Sequence, residues 1–242
     1  REQKSLKLVM PCASERYLIR EWLAYKLYNL INPNSFRARL VKVRLIPERN
    51  KAKINEVYGF FIEEEKQLGR RLGFDQVKGI IIPQAVDREN YLKMTMFQYL
   101  IGNTDWSVKY RQNIKIFFDN NLGSSIAIPY DFDCSGLVYS PYAKPPAAFR
   151  LKSVLDRRYR GYCIDDIKQY EQVLALYNTL KPEIYSLFQN CEFLEDRDLK
   201  FVLKFIDGFY KNISNEKRIK NDLLYPCGPY GTGNTEVKGL KN

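Results

Sequence analysis

The chain has 242 residues, of which 45% are hydrophobic and 28% are charged, and this is typical of a globular protein with one domain of two lobes or with two small domains. With 39 Lys and Arg against 28 Asp and Glu, the formal net charge is +11, which favours anionic partners such as nucleotide phosphates or acidic proteins. Histidine is absent, and this excludes Ser-His catalysis, Cys-His catalysis and any metal site with a His ligand from this chain.

Residue patterns disfavour three further classes of function. The five cysteines are dispersed and form no C-x-x-C pair, so a zinc site is not expected. No apolar run approaches the ~20 residues needed to cross a bilayer, so no membrane span is expected. The basic residues are scattered, and no helix-turn-helix, zinc or RNA-binding signature accompanies them, so nucleic acid is not the favoured partner.

The first 64 residues predict a strand, a helix and two further strands. Residues 5–10 form a short apolar strand, and residues 14–30 have the broad apolar face of a helix. A helix-breaking Asn-Pro-Asn follows. Residues 39–45 alternate between apolar and basic side chains, as in a half-buried strand, and residues 55–64 form the second of the pair.

A second helix and a hairpin follow in the middle of the chain. Residues 66–73 predict a short basic helix or turn. Residues 87–101 predict an amphipathic helix with Asp87 as its N-cap. This helix leads into a polar loop that carries Asp105, and two apolar strands at 113–118 and 124–131 are joined by an Asn/Gly turn.

Acidic and amide side chains mark the loop and the end of the second strand. Asp131 and Asp133 stand at i and i+2, and on an extended backbone two such side chains share one face. A purely structural interpretation remains open: Asp105 caps a helix, Asn113 lies at a strand edge, and the two later aspartates lie in a turn.

The order of Asp105, Asn113 and Asp131 is the order that phosphoryl transfer uses. A protein kinase needs a loop carboxylate to receive the proton of the acceptor hydroxyl, then an Asn that holds a metal, and after a strand pair an Asp that holds the metals on the phosphates. It also needs a Lys on an early strand paired with a Glu on the next helix, for which Lys7 and Glu21 are the candidates. Each of these two is equally compatible with an exposed residue that has no such role.

Four short motifs resemble the atypical, kinase-like family of the spore-coat CotH proteins, with a more distant likeness to HipA-type kinases. Asn103-Thr104-Asp105 is similar to the N-x-D catalytic loop of that family, and Asp131-Phe132-Asp133 is similar to its D-aromatic-D metal motif. The helix Leu18-Ile19-Arg20-Glu21-Trp22-Leu23-Ala24 and the strand Tyr58-Gly59-x-x-Ile62-x-Glu64 resemble two further elements of the family.

The resemblance implies an α+β, protein-kinase-like fold with a small β-rich lobe at 1–85 and a larger, mainly helical lobe at 86–242. It also implies ATP and Mg²⁺, or Mn²⁺, as cofactors and a hydroxyl, on a protein, as the phosphoryl acceptor. By the same likeness Asp105 is the catalytic residue, and Asp131, Asn113 and Asp133 hold the metal. Lys7 and Glu21 are the cofactor-binding candidates from the general kinase pattern, and the family likeness does not itself assign Glu21.

Three features depart from the kinase pattern. Trp106 follows Asp105, where such loops usually carry Arg. Asn113 comes eight positions after Asp105, whereas the H-R-D-x-x-x-x-N pattern allows five. The chain also shows no G-x-G-x-x-G loop to cover the phosphates.

The remaining residues predict a substrate segment and a helical scaffold. Three prolines make residues 138–146 irregular. Helices are predicted at 165–189, kinked or divided by Pro182, and at 195–213, and the tail is expected to fray. A dense basic run lies between residues 150 and 160. The candidate substrate-binding cations are Lys109, Arg111 and Arg158, with plain solvation as the alternative for each.

A second function stays open beside the enzyme. A chain of this fold that has lost metal binding would be a catalytically inactive module, which binds an acidic partner through its +11 charge. Metal binding distinguishes the two, while the acceptor, the oligomeric state and the compartment, exported or cytoplasmic, are not readable from the sequence.

Overall fold

The computed structural model describes residues 6–46, 55–161, 164 and 166–224. This part of the chain is a mixed α/β fold with two small antiparallel sheets and several helices. The strands are β1 (Lys7–Val9), β2 (Ala38–Leu45), β3 (Asn55–Ile62), β4 (Phe74–Gln76), β5 (Ile114–Asp119) and β6 (Ser124–Pro129). The helices are α1 (Glu15–Ile31), α2 (Glu65–Leu72), α3 (Arg88–Ile101), α4 (Glu171–Thr179), α5 (Lys181–Gln189), α6 (Asp196–Ile213) and α7 (Glu216–Leu223).

The first sheet has the strand order β1-β3-β2, and α1 packs on one of its faces. Both pairings are antiparallel, so that Ile62 of β3 lies between Lys7 and Ala38. The Tyr25 ring of α1 contacts the Phe60 ring of β3, with 5.6 Å between their centroids. The predicted order of strand, helix, strand and strand is therefore confirmed.

The second sheet has the order β4-β5-β6, and β5 and β6 form the predicted hairpin. Its turn closes through Gly123, whose N–H donates to the carbonyl of Asp119 at 2.8 Å and whose φ of +66° suits a residue without Cβ. The second strand ends at Pro129, two residues earlier than predicted. Strand β4 was not predicted.

Helix α3 is the predicted helix with the predicted cap. The Asp87 carboxylate accepts the N–H of Asn90 at 2.8 Å, and the helix ends at Gly102 with a left-handed φ of +63°. The prediction that this helix is amphipathic was wrong, because almost every residue of α3 is buried. The reason is that α1, α4, α6 and β6 surround the helix, and a helix covered on all sides needs no polar face.

The helices at the carboxyl end follow the prediction with one addition. The chain divides at Leu180, and Pro182 lies in the first turn of α5, where proline is tolerated. Helix α7 was not predicted. No helix among the described residues is long and apolar enough to cross a membrane. The Gly-rich tail at 228–234 lies outside the described residues, and the division into lobes at residue 85 stays a prediction.

A buried ion pair joins α1 to α6. Arg20 of α1 and Asp198 of α6 are each 1% exposed and are directly paired, and Arg16 contacts the same carboxylate. Arg20 Nη1 also donates to the carbonyl of Val138 at 3.0 Å, and its guanidinium lies 4.3 Å from the centroid of the Phe201 ring. Helix α1 is thereby held against the part of the chain that carries Asp131 and Asp133.

Candidate phosphotransferase site

The loop after α3 holds Asp105 in a fixed position. The side-chain oxygen of Asn103 accepts the N–H of Asp105 at 2.9 Å, and Trp106 Nε1 donates to the carbonyl of Asn103 at 3.2 Å. Asn103 and Trp106 are both buried, so the half-buried Asp105 carboxylate stands between two anchored neighbours. Asp105 lies beyond the end of α3 and is not the N-cap of a helix.

Asn113 reaches Asp105 despite the long spacing. The chain leaves at Ser107 and returns at Gln112, and the two are bridged by a hydrogen bond of 2.9 Å from the Ser107 N–H to the Gln112 carbonyl. Asn113 Nδ2 then donates to the Asp105 carbonyl at 2.8 Å and to Asp105 Oδ2 at 3.1 Å. Because Nδ2 is used in this way, Oδ1 is the amide atom left to accept a donor or a cation.

Asp131 stands on a left-handed backbone directly after β6. Its φ is +63°, a region that Asp tolerates better than most residues, and its N–H donates to the Tyr25 hydroxyl at 2.9 Å. Phe132 is fully buried, with its ring centroid 4.7 Å from that of Tyr25 and 5.2 Å from that of Phe97. The argument from an extended backbone was therefore wrong for Asp131 and Asp133, although the electrostatics still couple the two.

A short backbone pairing ties the segment of Asp133 to the end of α3. The N–H of Gly136 donates to the carbonyl of Gly102 at 3.2 Å, and the N–H of Leu137 donates to that of Ile101 at 2.9 Å. A Cβ at position 136 would lie 2.4 Å from the carbonyl oxygen of Val154, so only glycine allows this approach. The pairing fixes the Asp133 segment beside the loop that carries Asp105.

The carboxylates of this site repel one another. Burial raises the pKa of Asp105, and the charge of Asp133 adds to the rise, while Asn113 and Arg160 oppose it. Burial also raises the pKa of Asp131, again with Asp133 as the next cause and with a contribution from Asp105. Asp105, Asp131 and Asp133 thus lie within reach of one another's charges.

Glu21 of helix α1 and Lys7 of strand β1 act on the same cluster. Glu21 is buried, and its pKa is raised well above the ordinary value, first by burial and then by Asp131 and Asp133. The N–H of Phe132 donates to its carboxylate, and the charge of Lys7 lowers the pKa of both Glu21 and Asp131. The charge of the exposed Lys7 therefore acts on the cluster.

Lys7 also lines a pocket of about 410 Å³. Its ammonium group lies 5.6 Å from the centroid of the Tyr130 ring, and the ammonium group of Lys115, which sequence reasoning missed, lies 5.0 Å from the same centroid. Glu65 pairs with Lys115 at 2.7 Å. Phe36 and Ile62 complete the apolar part of the wall.

Arg160 is a second site residue that sequence reasoning missed. It is buried, it donates to the carbonyls of Thr104 and Trp106, and its guanidinium lies 4.8 Å from the centroid of the Trp106 ring. An Arg from elsewhere in the chain thus contacts the residue that stands where kinase loops usually carry Arg. Arg160 belongs to the basic run at 150–160. The substrate-binding cation predicted from that run is Arg158, and Arg158 is exposed.

The other two predicted substrate cations lie on the excursion between Ser107 and Gln112. Lys109 is half-buried, and its ammonium group lies 5.5 Å from the centroid of the adjacent Tyr110 ring. The Arg111 guanidinium donates to the carbonyl of Gly79. In this structure the Arg111 side chain is therefore engaged with the chain itself.

The oxygen atoms of this site suit Mg²⁺ only when phosphate oxygens complete the coordination of the ion. Among the described residues, no three Asp, Glu or Cys side chains converge closely enough to hold a metal ion by themselves. Mg²⁺ is commonly held by one or two carboxylates together with substrate phosphates and water. Asp131, Asp133 and Asn113 Oδ1 are oxygen donors of the kind that Mg²⁺ takes. The pKa of Asp131 is raised first by burial and then by the charge of Asp133, and a cation would offset both effects, so the residues fit such an ion.

Comparison with known proteins leaves the family open. No family model matches the chain, and no curated protein matches it at a significant level. Among solved structures it is similar to the Helicobacter pylori proinflammatory kinase CtkA, with 11% sequence identity, a TM-score of 0.44, and coverage of 90% of this chain and 88% of that one. A likeness this weak does not establish a common fold or a common activity.

Proposed function

We propose that this chain is an ATP- and Mg²⁺-dependent phosphotransferase with a protein-kinase-like fold of the CotH-like kind, which moves the γ-phosphoryl group to a hydroxyl on a protein. One observation carries the proposal. Asp105 and Asp133, separated in sequence by a complete hairpin, come within charge range of each other, and the charges of Glu21 from α1 and Lys7 from β1 act on the same cluster.

We propose a two-lobed arrangement, with residues 1–85 as the small lobe and 86–242 as the large one, although β4 of the first range pairs with β5 of the second. In the walls of the Lys7 pocket, Lys7 and Ile62 come from the first sheet, whereas Lys115 and Tyr130 come from the hairpin of the second sheet and the residue after it. A volume of about 410 Å³ falls within the usual range of small-ligand sites, roughly 300–1,000 Å³. We assign this pocket to the nucleotide.

The roles of the side chains follow from their contacts. Asp105 orients the acceptor hydroxyl and takes its proton, and the raised pKa of this carboxyl makes it a stronger base. Asn113 holds the Asp105 carboxylate through Nδ2 and offers Oδ1 to the metal, together with Asp131 and Asp133. When bound, Mg²⁺ neutralises charge on the phosphate oxygens.

On the side of the first sheet, Lys7 would contact the phosphates, since its charge already acts on Asp131 and Glu21. Glu21 accepts the N–H of Phe132 and so holds the metal-binding segment against α1. Lys109, Arg111 and Arg158 remain proposals as contacts of an acidic protein substrate.

A thermal-shift series tests the proposal. Mg²⁺ with ATP at about a hundred times its Kd should stabilise the wild type by about 2.7 kcal/mol, or roughly 5–10 °C in Tm for a chain of this size. Asp131→Asn should abolish this rise, and Asp105→Asn should keep it while losing transfer of labelled phosphate. The exposed Asp75→Asn is the matched control and should keep both.

The same series tests the rival function. The Tyr142 hydroxyl already donates to Asp133 Oδ2 at 3.0 Å, and this occupied carboxylate oxygen favours a module that has lost metal binding and instead binds an acidic partner. A wild type that shows no shift with millimolar Mg²⁺ and ATP contradicts the enzyme and supports the binding module.

A further inference from the structure

The chain after Asp133 folds back and returns a tyrosine to that carboxylate. Ser140 Oγ donates to the carbonyl of Asp133 at 2.9 Å, and this bond closes the returning turn. Two residues later, the Tyr142 hydroxyl donates to Asp133 Oδ2 at 3.0 Å. A phenolic hydroxyl is therefore held against a carboxylate whose charge also acts on Asp105 and Asp131.

Tyr139, three residues earlier, gives a contrast within the same segment. Its exposed fraction is 44%, against 45% for Tyr142, so the two tyrosines are equally accessible to an enzyme in solution. The Tyr139 ring, however, stacks on the Phe201 ring of α6, with 5.6 Å between centroids and 19° between planes. If exposure alone decided which tyrosine is modified, Tyr139 and Tyr142 would be modified equally. Only Tyr142 contacts the carboxylate cluster, and this contact distinguishes the two.

We propose that Tyr142 is a phosphoryl acceptor of this chain's own site, an inference that rests on the proposed phosphotransferase function. Tyr142 Oη forms a bond to the γ-phosphorus of a nucleoside triphosphate. The bond from that phosphorus to the β–γ bridging oxygen breaks, and its electron pair leaves with the nucleoside diphosphate. The phenolic proton passes to Asp105, the base of the proposed function, when the Tyr142 hydroxyl leaves Asp133 Oδ2 for the γ-phosphorus.

The modification is self-limiting on charge grounds. A phosphotyrosine carries a charge of about −1.5 to −2 at neutral pH. Placed beside Asp133, this charge adds to a cluster in which Asp105, Asp131 and Glu21 already repel their neighbours. The phosphorylated chain should therefore bind nucleotide less tightly than the unmodified chain, so that one transfer to Tyr142 reduces the transfers that follow.

Site mapping by mass spectrometry tests the acceptor. The full chain is first treated with a phosphatase and then incubated with Mg²⁺ and ATP, beside a generic basic protein as an external acceptor. Phosphate is expected on Tyr142, at a first-order rate that does not depend on protein concentration, and not on Tyr139. Tyr142→Phe should lose this phosphate, and the control Tyr139→Phe should keep it.

A binding measurement tests the charge argument without any turnover. Calorimetry with Mg²⁺ and a non-hydrolysable ATP analogue should show Tyr142→Glu binding at least about tenfold more weakly than Tyr139→Glu. Equal affinities overturn the self-limiting step. In one outcome the wild type hydrolyses ATP or phosphorylates the external protein and yet carries no phosphate on Tyr142. That result overturns the proposal that Tyr142 is an acceptor, while the proposed phosphotransferase function stands. Wild type that does neither overturns both.

Discussion

The buried pair of Arg20 and Asp198 offers a sharp test of how α1 is held. Asp198→Asn keeps the size of the side chain but leaves Arg20 as a buried cation without its carboxylate, and Arg16 loses the same partner. Both members of the pair are only 1% exposed, so water cannot replace the lost interaction. Breaking one partner of such a buried pair costs about 3–5 kcal/mol.

Thermal and urea unfolding measure this loss. In a chain of this size each kcal/mol lowers Tm by roughly 2–4 °C, so we expect Asp198→Asn to melt about 6–20 °C below the wild type. Asp196→Asn is the matched control, since it lies in the same first turn of α6 but is exposed, and it should cost only about 0.3–1 kcal/mol. Equal losses in the two variants would refute the reasoning, because they would show that burial of the pair is irrelevant.

Three further predictions concern the site. Gly136→Ala should cost about 1–3 kcal/mol by urea unfolding, because its Cβ would meet the Val154 carbonyl, while Gly79→Ala, with open space around it, should be close to neutral. Since burial, followed by the charges of Asp131 and Asp133, raises the pKa of Glu21 in the folded state, the unfolding free energy should fall as the pH rises above about 4.5. Glu21→Gln should flatten that fall, and an unchanged slope would contradict the prediction. Arg160→Lys, which loses the planar contact with Trp106, should lower kcat about tenfold or more with little change in KM for ATP, and a change confined to KM would count against a role in positioning the Asp105 loop.

Local patterns in the sequence were sufficient to predict most of the helices and the hairpin. Asp87 and Gly102 are a cap and a stop whose chemistry acts within one turn, and the Asn/Gly turn before Ser124 fixes the hairpin in the same local way. Asp105, Asn113 and Asp131 could be singled out as candidates because they follow one another around that hairpin, and their roles stay a prediction.

The elements and residues that were not predicted from the sequence depend on contacts between distant parts of the chain. Strand β4 has three residues and exists only by pairing with β5, which no local pattern encodes. The run at 77–82 is apolar in sequence, yet Ile80 is 85% exposed, so hydrophobicity alone does not place such a segment. Arg160 looked like one of several surface cations, and only its position under the Asp105 loop distinguishes it from Arg158.

The bridge between Ser107 and Gln112 has a consequence for how relatives of this chain can be recognised. Because the chain leaves and rejoins the loop at adjacent points, residues between them can be added or removed without displacing Asn113 from Asp105. The number of residues between Asp105 and Asn113 then depends only on the length of the segment between Ser107 and Gln112 and carries no information about the chemistry. A search pattern that allows a variable gap here, and requires only a closed return before the Asn, would admit sequences that a fixed spacing rejects.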